Sequence, residues 1–258
     1  MKITALIENT SHSESIQPQH GLSLYIEANG RRLLFDMGQD ELLLKNADAL
    51  GISLANVELA ILSHGHYDHG GGLRAFLQVN QKAPVYVSKH AFGDFYNGTE
   101  KYIGLDKEFK KEPRLILTEG VTPVADGFCL YSQNHLPRPH SFGSFGLTER
   151  TEQGFSEDPF LHEQYLLIEE DGNRVLISGC SHKGILDIVD WFRPDVLIGG
   201  FHFSKLPLNN TLAHAAQALN RFPTRYYTCH CTGEAQFAYM KNFMDRLHPL
   251  SCGETIQI

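Results

Sequence analysis

The sequence predicts an α/β protein built on two mixed β-sheets flanked by helices. Two patterns point there: strand-like segments joined by tight hairpins early in the chain, and strand–helix alternation late in it. The third observation is one of size. The 258 residues show no fixed-period repeat and no linker, so residues 1–258 are expected to form one domain.

The first strand is expected over Ile3–Glu8, followed by a polar loop to about His20. Gly21–Ala28 alternates as a half-buried strand does, Asn29-Gly30 is a tight hairpin signal, and Arg32–Asp36 is the returning strand. A helix is expected from about Asp40 to Leu50, with Leu42, Leu43, Leu44 and Ala47 on one side and Gly51 ending it. Val57–Leu62 is the next strand, Leu73–Val79 a helix and Pro84–Ser88 a strand. Residues 97 to 160 read as irregular, with strand-like pieces only at Leu115–Leu117 and Phe128–Ser132, and as a region able to form a lid. The pattern then sharpens. Gln164–Glu169 and Arg174–Ser178 pair through Asp171-Gly172, and Gly184–Phe192 is helical. Asp195–Gly199 is a buried strand, Thr211–Phe222 a helix, Arg225–Thr228 a strand, Glu234–Leu247 the last helix and Glu254–Ile258 a closing strand.

Hydrophobic residues make up 42% and charged residues 20%, the balance of an ordinary globular chain. The net charge is −8, which argues against a duplex-DNA surface but leaves room for a small anion held by a few local cations. No run approaches the roughly 18 apolar residues of a membrane span. The start is too poor in apolar residues for a signal peptide, and 5 cysteines without framework spacing suit a reducing, cytoplasmic setting. A small-molecule substrate is therefore expected, rather than a nucleic acid or a membrane. The unusual number is 14 histidines.

Three of them fall in Ser63-His64-Gly65-His66-Tyr67-Asp68-His69, directly after an apolar strand and before Gly70-Gly71-Gly72. His64 and His66 are two apart, so at a strand end both rings point the same way and can share one cation. Asp68 and His69 lie further round the turn and can face a second. Imidazole with carboxylate suits zinc, iron or manganese. A surface loop that merely happens to be His-rich fits poorly with four donors packed at a strand-to-glycine junction.

This segment resembles the HxHxDH signature of the metallo-β-lactamase superfamily, and the likeness spans nearly the whole chain. Phe35-Asp36-Met37-Gly38 looks like the superfamily's first motif, and Ser178-Gly179-Cys180-Ser181-His182 falls where it usually carries a bridging aspartate. Gly200-Phe201-His202 and His230-Cys231-Thr232-Gly233 lie near its final histidine motif. Together with Glu8-Asn9-Thr10, these segments resemble a subgroup named as 7,8-dihydropterin-6-methyl-4-(ribofuranosyl)aminobenzene 5′-phosphate synthases or as metal-dependent hydrolases. The resemblance implies an αβ/βα four-layer sandwich with a dinuclear site at the sheet edge. It implies two divalent cations, zinc first, with manganese or iron as alternatives.

Much of the superfamily completes its first metal site with a mid-chain histidine. His90, His135, His140 and His162 are candidates here, and His182 is the preferred one. Cys180 stands in the aspartate's place, either as a thiolate ligand or as a small buried residue. His230 is expected to ligate. His202 can ligate, support a ligand or contact substrate, and with Asp68 it is a candidate catalytic residue. Asp36 is expected to orient the histidine loop by hydrogen bonds. His12, His20, His214 and His248 need no special role. Cys229 and Cys231 form a lone Cys-x-Cys, whose side chains share the face opposite His230 if the segment is extended.

Two such metals can hold a bridging hydroxide at neutral pH and clamp a leaving oxygen, so no serine or cysteine nucleophile is required. Asp68 can take that water's proton. Arg138, Lys183 and Lys205 adjoin the candidate segments and could hold a phosphate. Phe95, Tyr96, Tyr102, Phe142, Phe145 and Phe155 could wall a ring. The sequence thus reads as a metal-dependent hydrolase of a small, phosphate-bearing ester. A non-hydrolytic metalloenzyme (synthase or sulfur oxygenase) and a ligand-binding protein without turnover are the alternatives.

Overall fold

The computed structural model describes all 258 residues, Met1–Ile258. The N-terminal part runs β1 (Lys2–Ile7), β2 (Ser23–Ala28), β3 (Arg31–Phe35), α1 (Leu42–Ala49), β4 (Leu59–Ile61), α2 (Tyr67–Gly70), α3 (Leu73–Val79) and β5 (Val85–Ser88). The middle holds β6 (Phe95–Asn97), β7 (Lys101–Tyr102), β8 (Leu115–Thr118), β9 (Val121–Ala125), β10 (Phe128–Tyr131), β11 (Leu147–Thr151) and β12 (Gly154–Glu157). The remainder is β13 (Tyr165–Glu170), β14 (Asn173–Gly179), α4 (Ile185–Phe192), β15 (Val196–Gly199), α5 (Asn210–Asn220), β16 (Arg225–Thr228), α6 (Glu234–Met240), β17 (Leu247–Pro249) and β18 (Thr255–Gln257).

Two seven-stranded sheets result, in the orders β18-β1-β2-β3-β4-β5-β8 and β17-β16-β15-β14-β13-β10-β9. Each is mixed. The hairpins pair antiparallel, while β3-β4-β5-β8 and β14-β15-β16-β17 run parallel because a helix or long loop separates each successive strand. The period-2 alternation divides the strand residues between two cores. Ile26, Leu33, Phe35 and Ile61 of the first sheet meet Leu166, Ile168, Val175, Ile177 and Ile198 of the second. Their sequence neighbours point outward: Leu34, Ala60 and Val85 under α1 and α3, and Leu167, Leu176 and Leu197 under α4, α5 and α6. Strands buried on both faces read as nearly unbroken apolar runs, and β14 and β15 do. The order of layers is helix, sheet, sheet, helix, as the resemblance implied.

Two expectations are corrected. Residues 97 to 160 hold more strands than expected, although over half of them lie outside regular elements. Beyond β8 to β10, they supply much of a separate four-stranded sheet, β12-β11-β6-β7, closed on its inner side by Phe95, Ile103, Leu147 and Phe160. The last helix stops at Met240 rather than Leu247, because the chain turns to lay β17 beside β16, with Tyr226 N–H donating to Arg246 O at 2.8 Å. No helix is long and apolar enough to cross a membrane.

The inter-sheet core sets the stability. Ile177→Ala leaves a cavity where both sheets press on one side chain that is 0% exposed, and should cost about 2–5 kcal/mol. Leu117→Ser, on a residue 62% exposed, should change stability by less than about 0.5 kcal/mol. Urea midpoints with an unchanged slope check both.

Candidate metal centre

The site forms where parallel strands of both sheets end together. Asp36 follows β3 and the His64–His69 segment follows β4, while Cys180 and His182 follow β14, His202 follows β15 and His230 follows β16. Each chain turns sharply on leaving its strand. Asp36 (φ 60°), Ser181 (φ 59°), His202 (φ 54°) and His230 (φ 49°) all adopt the left-handed region, which non-glycine residues hold only where the surroundings impose it. At Gly179 (φ 65°) a Cβ would sit 2.6 Å from the Ser63 side chain, so glycine lets the ends of the two sheets touch.

Donor atoms gather in overlapping groups, with His64, His66 and His182, all buried, at one end, Asp68 with His20 and His230 at the other, and Cys180 joining groups between them. His69 joins the second set through its Nε2, 3.2 Å from His230 Nε2. The hydrogen-bond network fixes which ring nitrogens are bare. Asp36 is 0% exposed; its Oδ1 accepts from Ser63 N–H and its Oδ2 from Ser63 Oγ and from His69 Nδ1 at 2.6 Å. The Ser63 proton being spent on Asp36, Ser63 Oγ accepts from His64 Nδ1 at 2.7 Å. Asn9 Oδ1 accepts from His230 Nδ1 at 2.9 Å. The Nδ1 protons being assigned, Nε2 of His64, His69 and His230 face inward as lone pairs.

These inward nitrogens pair: His64 Nε2 lies 3.3 Å from His182 Nε2, and His69 Nε2 lies 3.2 Å from His230 Nε2. A cation bound between the members of a pair would take both nitrogens as ligands. Burial, then the surrounding imidazoles, push His64 and His182 well below the ordinary histidine range, so neither is an imidazolium near neutrality. A tetrahedral ion with bonds of ~2.0–2.1 Å places its ligand nitrogens about 3.3 Å apart, which is the separation found. Buried ring nitrogens of His66 (Nε2), His182 (Nδ1) and His202 (Nδ1) have no partner at all. The residues present therefore fit bound divalent cations.

Buried carboxylates hold the ligand loops. Besides Asp36, Glu8 Oε1 accepts from His230 N–H at 2.6 Å and its Oε2 from Thr10 N–H and Oγ. Glu163 accepts from the backbone N–H groups of His182 and Lys183 and from the Tyr165 hydroxyl. Asp158 bonds His162 Nε2 at 3.0 Å, and His162 Nδ1 accepts from Gly65 N–H.

The sequence did not single out Glu163 or Asp158, and assigned Glu8 and Asn9 no role. His20, expected to be unremarkable, is corrected: its Nε2 stands 3.3 Å from Asp68 Oδ2, and its ring packs 4.7 Å from His230. His162 is engaged on both nitrogens and offers no lone pair, while His135 and His140 are exposed. Cys180 is 2% exposed with Sγ 3.1 Å from His69 Nε2, and burial pushes its thiol up, with Cys231 beside it adding. The Cys229–Cys231 segment is not extended. Residues His230–Thr232 form a 3-10 turn, so Cys229 enters the inter-sheet core while Cys231 Sγ faces Cys180 O at 3.5 Å.

The three expected anion-binding cations are spent on carbonyls. Lys183 is 1% exposed and donates to Ser132 O and Glu163 O, so it is a structural buried cation, not a phosphate ligand. Arg138 donates to Pro159 O and Lys205 to Phe145 O, at the rim. Of the expected aromatic wall, Phe95 packs on His66 and His162 and Phe145 on His202. Phe142 joins Phe203 in the core, and Tyr96, Tyr102 and Phe155 pack on one another. Phe160, not foreseen, stacks on His182 at 4.6 Å.

A model of the metallo-beta-lactamase superfamily matches residues 16–220. The chain belongs to the metallo-beta-lactamase superfamily. Within it, the chain is 30% identical over 247 residues to an uncharacterised protein of Methanocaldococcus jannaschii, covering 90% of each. It is 26% identical to 7,8-dihydropterin-6-methyl-4-(beta-D-ribofuranosyl)-aminobenzene-5'-phosphate synthase of the same organism, over 100% of this chain and 96% of that one. The crystal structure of a metal-dependent hydrolase of the beta-lactamase superfamily superposes with a TM-score of 0.85 at 28% identity, covering 100% and 99%.

Two outcomes follow from this network. Asp36→Asn removes an acceptor from Ser63 or His69 and should weaken metal affinity about 10–100-fold, read by competition with a chelating dye. The metal-free protein should lose stability as pH falls from about 6.5 towards 4. His64 and His182 lie well below their ordinary value and burial lowers His162 to about 4, so the unfolded chain binds protons in that window that the folded chain does not. Each contributes up to about 1.4 kcal/mol per pH unit, and His69, which Asp36 raises despite burial, acts only above about pH 6.5 and leaves this window unchanged. Urea midpoints at pH 7 and 5 check this, with a shallower slope expected for His162→Gln.

Proposed function

We propose that the protein is a metal-dependent hydrolase of a small ester, with His64, His66 and His182 holding one divalent cation and Asp68, His69 and His230 the other. The observation that carries this reading is the pairing of inward-facing Nε2 atoms of buried histidines at 3.2 and 3.3 Å, with neither His64 nor His182 charged near neutrality. The bound cations would supply a hydroxide at neutral pH by lowering the pKa of water to about 7.

The chain's residues do the rest. Asp68 places Oδ2 between His20 and His230, at 3.3 and 3.5 Å, where it can accept and hold the water's proton. His202 presents an unpartnered Nδ1 beside His182, with ring centroids 4.2 Å apart, where it can donate to a leaving oxygen. Phe160 and Phe145 cover His182 and His202 and exclude water from that side. A cavity of about 870 Å³ adjoins His20 and His230, in the size range of small-molecule sites. Its lining includes Thr10, His12, Ser251 and Phe237 but no lysine or arginine, so a phosphate would find its countercharge at the metal centre.

The likeness to a synthase over the full chain supports a second reading, in which the same centre activates a group other than water. Metal content by emission spectroscopy, followed by phosphodiester, thioester and lactam screens on the loaded protein, separates the two. Two metals per chain and turnover on an ester are expected. His66→Ala should lower kcat/KM by at least about a thousandfold, roughly 4 kcal/mol. Fewer than one metal per chain after zinc or manganese loading would sink both readings.

A further inference from the structure

The sulfur of Cys180 belongs to neither histidine set alone. Its Sγ lies within 4.8 Å of donor atoms of His64 and His69, of His182 and His202, and of His230 and Cys231. It therefore reaches residues of both candidate cation sites. The backbone places it there. Ser181 in the left-handed region (φ 59°) turns its own hydroxyl back to Ser178 Oγ at 2.9 Å, which leaves positions 180 and 182 both aimed at the site. Cys180 Sγ is 3.1 Å from His69 Nε2, a nitrogen whose lone pair faces inward. A second observation points to a ligand in the same place. His66, 4% exposed, holds an unpartnered Nε2 in a donor group with His64 and His182, both of which neighbour this sulfur.

We propose that the Cys180 thiolate is a ligand shared by the two cations, its sulfur lying among donor atoms of both histidine sets. This rests on the two-cation reading above, but not on the reaction assigned to it. As the cations bind, the S–H bond breaks, its proton passes to buffer, and the sulfur keeps the electron pair that it gives to both ions. Sulfur is a soft donor, so the site should select zinc, cobalt or iron over manganese and magnesium. Cys231 is the competing sulfur: it is buried close by, its Sγ lies 3.5 Å from Cys180 O, and it shares a donor group with Cys180 and His230.

X-ray absorption at the zinc edge of the wild-type protein loaded with two zinc ions tests the proposal without a variant. A sulfur shell at ~2.3 Å with one sulfur per zinc is expected. A shell of half that amplitude, meaning a sulfur on one zinc only, or nitrogen and oxygen alone at ~2.0–2.1 Å, would overturn it. In the cobalt-loaded protein, a near-ultraviolet thiolate-to-cobalt band should persist in Cys231→Ser and vanish in Cys180→Ser. A band lost with Cys231→Ser and kept in Cys180→Ser would also overturn it. Should no ester be hydrolysed while the sulfur shell is present, the reaction fails and the ligand assignment stands.

Discussion

Negative charge buried without a basic partner is the constraint around which this site is organised. Glu8, Asp36, Asp158 and Glu163 are each 4% exposed or less. Asp36 and Asp158 pair only with histidines, and Glu8 and Glu163 are satisfied by N–H and hydroxyl donors. Several buried carboxylates beside a cluster of imidazoles are expensive unless positive charge is supplied nearby. His69, which Asp36 raises, and the buried Lys183 supply part of it, while burial holds His64 and His182 neutral. Divalent cations meet the requirement. The same carboxylates orient the ligands, so the groups that create the electrostatic demand also fix the geometry that answers it.

Division of labour between the sheets follows. The first sheet contributes the dense segment after β4, which Asp36 locks by three hydrogen bonds to residues 63 and 69. The second contributes three separate strand ends, each carrying a single histidine and two of them held by a carboxylate from elsewhere. That asymmetry explains what was legible in the sequence. His64, His66, Asp68 and His69 lie within a few residues of one another, so spacing alone reveals them. His182 and His230 were legible as strand-end histidines. Glu8 and Glu163 were not, because their meaning lies in contacts such as Glu8 to His230, separated by 222 positions. His20 looked ordinary for the same reason.

The fold was legible where strands are long and two-sided. β13 and β14 announce themselves by alternation and a hairpin. β6 and β7 are three and two residues long, and β12 is exposed throughout, so residues 97 to 160 carry little periodic signal. Their order comes from pairing with one another and from Phe95 and Phe160 pressing on the site histidines. Lys183 shows the complementary error. A lysine beside a ligand looks like an anion receptor, and only the packing reveals that it is fully covered and caps two carbonyls.

The reach of the network across the chain has a consequence for how the protein is made. His69 and His230 stand 161 positions apart, yet their nitrogens are neighbours. A ribosome releases the whole histidine cluster of the first sheet long before the loop that completes the second set. Until then, the early donors form an open half-site, able to capture a cation but not to enclose it. On the two-cation reading, enclosing the metal is coupled to closing a loop of 161 positions, a slow kind of contact to form. On that reading, a full complement of metal would mark a finished molecule.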